Sequence, residues 1–128
     1  MLRFIPRLRL SARPLSLFAA PAVLQRLGML MNASHTSCRD MYECSCVELD
    51  ELTETAKKHG AIGSRMTGAG WGGSVVSLVP EAKVAAFLEG VHKDYYSQRP
   101  EVIKDIPRSE YLFASSASAG ASVVHFKL

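Results

Sequence analysis

The sequence predicts an α+β domain: an antiparallel sheet with helices packed on one face. Three observations carry that expectation. Apolar residues recur at helical spacing in three segments, short β-branched runs flank a glycine-dense turn, and the order from Leu27 onward is helix, helix, strand, strand, helix, strand, strand. The chain has 128 residues, enough for one domain, and its 48% hydrophobic and 21% charged content excludes wholesale disorder.

Leu27, Leu30, Met31 and Ser34 open the first helix, expected to run to about Glu43. Ser45-Cys46-Val47-Glu48 has the form of a capping box, in which the Ser45 hydroxyl accepts from the Glu48 amide while Glu48 reaches back. Leu49, Leu52 and Ala56 share a face of the helix that follows. Lys57, Lys58 and His59 sit in its last turn, favourable against the macrodipole, and Gly60 stops it. Ala61–Thr67 and Ser74–Val79 are the first two strands. Val75, Val76, Leu78 and Val79 form a nearly continuous apolar run, the pattern of a strand covered on both faces. Pro80 and Glu81 open a third helix, whose stripe of Val84, Phe87, Leu88, Val91 and Tyr95 marks its core side. Arg99–Arg108, with Pro100 and Pro107, reads as a loop, and Tyr111–Ser115 and Ser122–Lys127 as the last strands.

Residues 1–24 differ from the body at 25–128. Five arginines and no acid lie in residues 1–28, and Pro6, Pro14 and Pro21 interrupt any long helix. A disordered leader, a mitochondrial presequence and a secretory signal all fit this composition. Residues 29–128 hold ten basic and twelve acidic residues, so the formal charge of +3 belongs to the arm. A slightly acidic body gives no electrostatic reason to expect nucleic acid, and no apolar run reaches the length of a membrane span. Cys38, Cys44 and Cys46 are odd in number and clustered, which fits a reducing compartment better than a disulfide framework. With His35 they do not match a zinc-knuckle spacing, so no metal site is expected.

The segment richest in chemistry is Gly63-Ser64-Arg65-Met66-Thr67-Gly68-Ala69-Gly70-Trp71-Gly72-Gly73, which holds five of the nine glycines. Glycines permit positive φ and let a ligand approach the amides, and consecutive inward amides form a nest for anionic oxygens, phosphate above all. The string matches G-x-G-x-x-G, but a dinucleotide site needs a helix after the glycines, and Ser74–Val79 reads as strand. A protein-kinase glycine loop would suit a strand–turn–strand, but its catalytic loop and Asp-Phe-Gly are missing, and a Walker A lysine is absent. A tight hairpin packed against a neighbour needs the same glycines without any ligand.

The loop is joined to a second motif. Leu30-Met31-Asn32, Ser34-His35, Arg39-Asp40, Tyr42-Glu43 and Ser45-Cys46, together with Thr67–Gly73, closely resemble the C-terminal part of galactokinases. These belong to the small-molecule kinase superfamily of galactokinase, homoserine, mevalonate and phosphomevalonate kinases. Met41–Cys46 and Trp71 look most like the N-acetylgalactosamine kinase branch. The resemblance implies a ferredoxin-like C-terminal domain. It also implies transfer of the γ-phosphoryl of ATP, with Mg2+, to the anomeric hydroxyl of galactose or N-acetylgalactosamine, in the cytoplasm. The residues it places beside the nucleotide phosphates are Thr67, Gly68, Ala69, Gly70, Trp71, Gly72 and Gly73, with Ser64 and Arg65 as further polar candidates. His35 is expected to pack or hydrogen-bond at a domain interface, and Trp71 either to stack on a nucleotide base or, the favoured reading, to pack under the loop.

Val47 stands where the family usually has proline, and Ser74 where many members have cysteine. The family's sugar signature, serine-rich ATP loop and catalytic aspartate have no counterpart here, so no catalytic residue is assigned. The chain resembles half an active site. The expected partners are ATP and a hexose in a complete enzyme, with a face left open to a protein partner where the upstream domain would pack. A non-catalytic binding or sensor module, or a truncated product, would keep the same fold.

Overall fold

The computed structural model describes residues 2–5 and 21–115. The elements are β1 (Leu2–Ile5), α1 (Pro21–Asp40), α2 (Val47–Lys58), β2 (Gly63–Thr67), β3 (Ser74–Leu78), α3 (Val84–Asp94), α4 (Pro100–Ile103), α5 (Arg108–Tyr111) and β4 (Leu112–Ala114). The strand expected at Ser122–Lys127 lies outside the described residues.

The α+β architecture is present. β2 and β3 pair antiparallel from Gly63 opposite Leu78 to Thr67 opposite Ser74. Ser64, Met66, Val75 and Ser77 are buried, while Arg65 and Val76 between them are only half-buried. Side chains alternate across a strand, so one face of the pair is enclosed and the other only partly covered. The apolar run at Val75–Val79 therefore does not mark a strand covered on both faces, because only its alternate positions are enclosed.

β1 lies between β3 and β4 and runs parallel to both, giving the sheet order β2-β3-β1-β4. Composition reads this segment as part of a basic leader. The leader's composition boundary at residue 24 also falls inside α1, which begins at Pro21, a residue suited to the first helical position. α1 ends at Asp40, before the expected Glu43. The chain curls there through bonds from Met41 N and Tyr42 N to Ser37 O (3.0 and 3.2 Å) and from Cys44 N to Cys38 O (3.0 Å), and Glu43 takes a positive φ of 55°.

α2 is capped one residue later than its sequence suggests. Cys46 is the extended N-cap residue and supplies no side-chain capping bond. Ser45 falls outside the helix, and its hydroxyl donates instead to Asp50 Oδ1 at 2.6 Å. Gly60, at φ 97°, follows the helix as expected. Leu49, Leu52 and Ala56 of α2 join Met66, Val75, Phe87, Val91 and Leu112 in the core. Tyr95 is buried with them, as the stripe predicts, and so is Tyr96. The expected loop at Arg99–Arg108 contains α4, and Tyr111 ends α5 rather than opening a strand.

α1 lies along the outer edge of β2. Ser64 N donates to Asn32 Oδ1 at 2.9 Å and Met66 N to His35 Nδ1 at 3.3 Å. Two acceptors one helical turn apart thus serve alternate amides that a further strand would otherwise take, which closes the edge. The backbones come close because both contacts are glycine: a Cβ on Gly28 would sit 2.5 Å from Ile62 O, and one on Gly63 would sit 2.5 Å from Gly28 Cα.

Candidate phosphate-binding loop

Between β2 and β3 the backbone takes positive φ at five residues: Gly68 (91°), Gly70 (92°), Trp71 (53°), Gly72 (138°) and Gly73 (91°). Such values are costly for residues with a Cβ, which is why glycine fills four of these positions. Thr67, Gly68, Ala69, Trp71 and Gly73 are exposed, and Gly70 and Gly72 are half-buried. A Cβ at Gly68, Gly72 or Gly73 would meet nothing within 4 Å. Their outer side is open to a guest.

Gly70 differs. A Cβ there would collide with Cys44 O and lie 2.6 Å from Met66 Cε and 3.0 Å from Cys44 Cβ. The loop is seated on the turn after α1: Trp71 N donates to Cys44 O at 2.6 Å, and the indole Nε1 donates to Glu43 O at 3.1 Å. The Trp71 ring faces Tyr42 with centroids 6.2 Å apart. Trp71 is 63% exposed, so it anchors the loop by its N–H edge and does not pack beneath it.

Of the two further polar candidates, Ser64 is turned into the core and Arg65 is engaged with its neighbours. Ser64 is fully buried, its hydroxyl 2.8 Å from that of Ser77, so it presents nothing to a ligand there. A position on the enclosed face of β2 dictates this. Arg65 is half-buried; its Nε donates to Met66 O at 2.9 Å and its Nη2 lies 4.0 Å from Cys38 Sγ. The structure brings Thr67–Gly73 together as one surface and leaves Ser64 out of it.

Trp71, Gly72 and Gly73 also form one wall of a groove of about 410 Å³, shared with Cys46 and Glu48 at the start of α2 and with Tyr95, Tyr96, Arg99 and Val102. Its polar groups are already engaged. Glu48's own amide and the Cys46 thiol hold its carboxyl below the usual carboxylate range. Arg99 pairs with Glu51, donates to Tyr95 O at 3.1 Å and lies 4.1 Å over the Tyr95 ring. The glycine rim is where this region leaves room for a Cβ-sized group.

Asn32, Glu43 and Cys44 support the site without being singled out by residue type. Asn32 holds β2 through the Ser64 amide, and Glu43 and Cys44 act through their carbonyls, which no side-chain pattern reveals. His35 is 3% exposed, with Nε2 3.1 Å from Asp50 Oδ1 but poorly aligned for a hydrogen bond. Burial holds its pKa below the ordinary 6.5, against the opposing pull of Asp50 and with help from Arg39. Neutral His35 can accept from Met66 N at Nδ1, and its role is structural. Among the described residues, no three His, Cys, Asp or Glu side chains gather to hold a metal.

Residues 19–98 match the family model for the GHMP kinase C-terminal domain. The chain belongs to the GHMP kinase family. It is 51% identical over 104 residues to a galactokinase of Dictyostelium discoideum, covering 80% of this chain and 21% of that protein. A Saccharomyces cerevisiae galactokinase is 36% identical over 100 residues, covering 76% and 19%. Among solved structures, Lactococcus lactis galactokinase complexed with galactose aligns with a TM-score of 0.55 and 45% identity, over 69% of this chain and 22% of that one. This GHMP kinase chain thus spans about a fifth of the length of the relatives it matches.

Proposed function

We propose that this chain is the C-terminal domain of an ATP-dependent sugar 1-kinase and that Thr67–Gly73 lies against the nucleotide phosphates. The observation that carries the reading is the open glycine rim: Gly68, Gly72 and Gly73 leave space where a side chain would stand, on a loop anchored at Gly70 and Trp71. A backbone cradle of this kind suits phosphate oxygens, and phosphoryl transfer depends mainly on positioning and electrostatic stabilisation. ATP would supply the γ-phosphoryl group, and the open rim of Thr67–Gly73, held in place by the Trp71 amide on Cys44 O, would lie against its phosphates and orient them. Mg2+ would be held by the phosphates and by ligands from the rest of the enzyme. The similarity to galactokinases supports galactose as the acceptor, with N-acetylgalactosamine the alternative suggested by Met41–Cys46 and Trp71, and a cytoplasmic setting is part of the same proposal.

The chain by itself is expected to be inactive, since it offers neither the family's sugar signature nor its catalytic aspartate. A coupled assay that detected sugar 1-phosphate from the pure chain would overturn this. The loop assignment is tested by titrating Mg·ATP and following backbone amide resonances. Shifts concentrated at residues 67–73, reproduced by triphosphate and weakened in Gly72→Val, support it. Shifts confined to other surfaces, or none, reject it.

A second reading has one observation in its favour. Leu27, Met29 and Leu30 on α1 and Met41, Tyr42, Val47 and Trp71 near the loop are all exposed. Such apolar surface suits a non-catalytic binding module that engages a protein. Failure of nucleotide to reach the loop would favour that module, or a truncated product.

A further inference from the structure

We propose that Cys38 and Cys44 form a peroxide-sensitive thiol pair whose disulfide disturbs the seat of the glycine loop. The two residues are folded back on each other at the end of α1: Cys44 N donates to Cys38 O at 3.0 Å, and Cys44 Sγ lies 3.5 Å from the same oxygen. A backbone bond this short keeps the two Cα atoms near the roughly 4.4–6.8 Å span that a disulfide requires.

The two thiols have different surroundings, which sets their order of reaction. Cys38 is half-buried and so within reach of peroxide, with the Arg65 guanidinium 4.0 Å from its sulfur. Cys44 is buried, and burial raises its thiol pKa, so it stays protonated until a partner arrives. In the first step the Cys38 thiolate attacks hydrogen peroxide, the O–O bond breaks, and Cys38 sulfenic acid and hydroxide result. In the second, the Cys44 sulfur attacks the sulfenic sulfur; the S–S bond forms, and the hydroxyl leaves as water with the Cys44 proton.

The consequence follows from what Cys44 supports. Its carbonyl accepts the Trp71 amide at 2.6 Å, and both its carbonyl and its Cβ abut Gly70. Drawing Cys44 Sγ away from its contact with Met66 Sδ, at 3.9 Å, toward Cys38 moves the atoms on which the loop rests. Cys46, half-buried, lies two residues past Cys44 at the α2 cap.

The full chain is treated with hydrogen peroxide, then mapped under non-reducing conditions while the emission of Trp71, the sole tryptophan, is followed. The expected result is a Cys38–Cys44 cross-linked peptide and a change in Trp71 emission reversed by dithiothreitol. Both should be lost in Cys38→Ser and retained in Cys46→Ser. Cys38→Ser is the primary variant because it alters the less buried thiol; Cys44→Ser should behave alike if folded. A cross-link through Cys46, no intramolecular disulfide, or a Cys38–Cys44 disulfide that leaves Trp71 unchanged would each overturn the proposal.

Discussion

Gly68 and Gly70 form a matched pair in which backbone strain and packing can be separated. Their φ values are 91° and 92°, so replacing either by alanine brings a similar left-handed strain of roughly 1–2 kcal/mol. Their surroundings differ. The new methyl at Gly68 would meet nothing within 4 Å, whereas that at Gly70 would strike the carbonyl of Cys44 and press on Met66 Cε. The obstructing carbonyl is backbone and already bound to Trp71 N, so it cannot swing aside cheaply. Overpacking of this kind costs roughly 1–3 kcal/mol, so Gly70→Ala should be less stable than Gly68→Ala by about that amount. Urea unfolding of both variants, followed by far-ultraviolet circular dichroism, measures the difference. Equal midpoints with equal slopes would refute the claim that Gly70 is the docking point of the loop. A Gly68→Ala variant less stable than Gly70→Ala would refute the geometry outright.

Further expectations follow from the helices. Val47→Pro should stabilise the chain by roughly 0.4–1 kcal/mol, read as a higher melting temperature. Position 47 opens α2 and Cys46 before it is already extended at φ −142°, ψ 166°, as a residue preceding proline must be. Gly28→Ala should destabilise despite alanine's better helix propensity, by about 1–2 kcal/mol net, because the methyl meets Ile62 backbone at 2.5 Å; denaturant midpoints check it. The depressed pKa of His35 makes its contribution complete above pH 6.5 and diminishing as pH falls from there through the folded value. Protonating Nδ1 would turn the acceptor of Met66 N into a second donor. Melting temperatures across this range should decline on the acid side, and His35→Gln should flatten that decline.

How much of this was legible in advance differs from element to element. α2 and α3 follow from spacing, because an amphipathic stripe is a local property: Leu49, Leu52, Phe87 and Val91 are buried as their periodicity demands. Their ends were less legible. Ser45 lies one residue outside the helix it should cap, since the turn from Tyr42 to Cys46 sets where the helix starts and offers Ser45 a carboxylate instead. The glycine turn was legible because, Trp71 apart, its positive φ values fall on glycines. Which glycine faces a neighbour and which faces solvent was not.

Amino-acid order by itself settled the helix faces, the glycine turn and the likeness to galactokinases, since each depends on residues close together along the chain. Tertiary structure decided the rest. Asn32 and His35 became acceptors for the edge of β2, Ser64 turned into the core, and Cys44 came to lie under Gly70. Those roles arise from groups that meet across separations of 13 to 32 residues, and the backbone amides and carbonyl among them are the same in every residue that could have stood there.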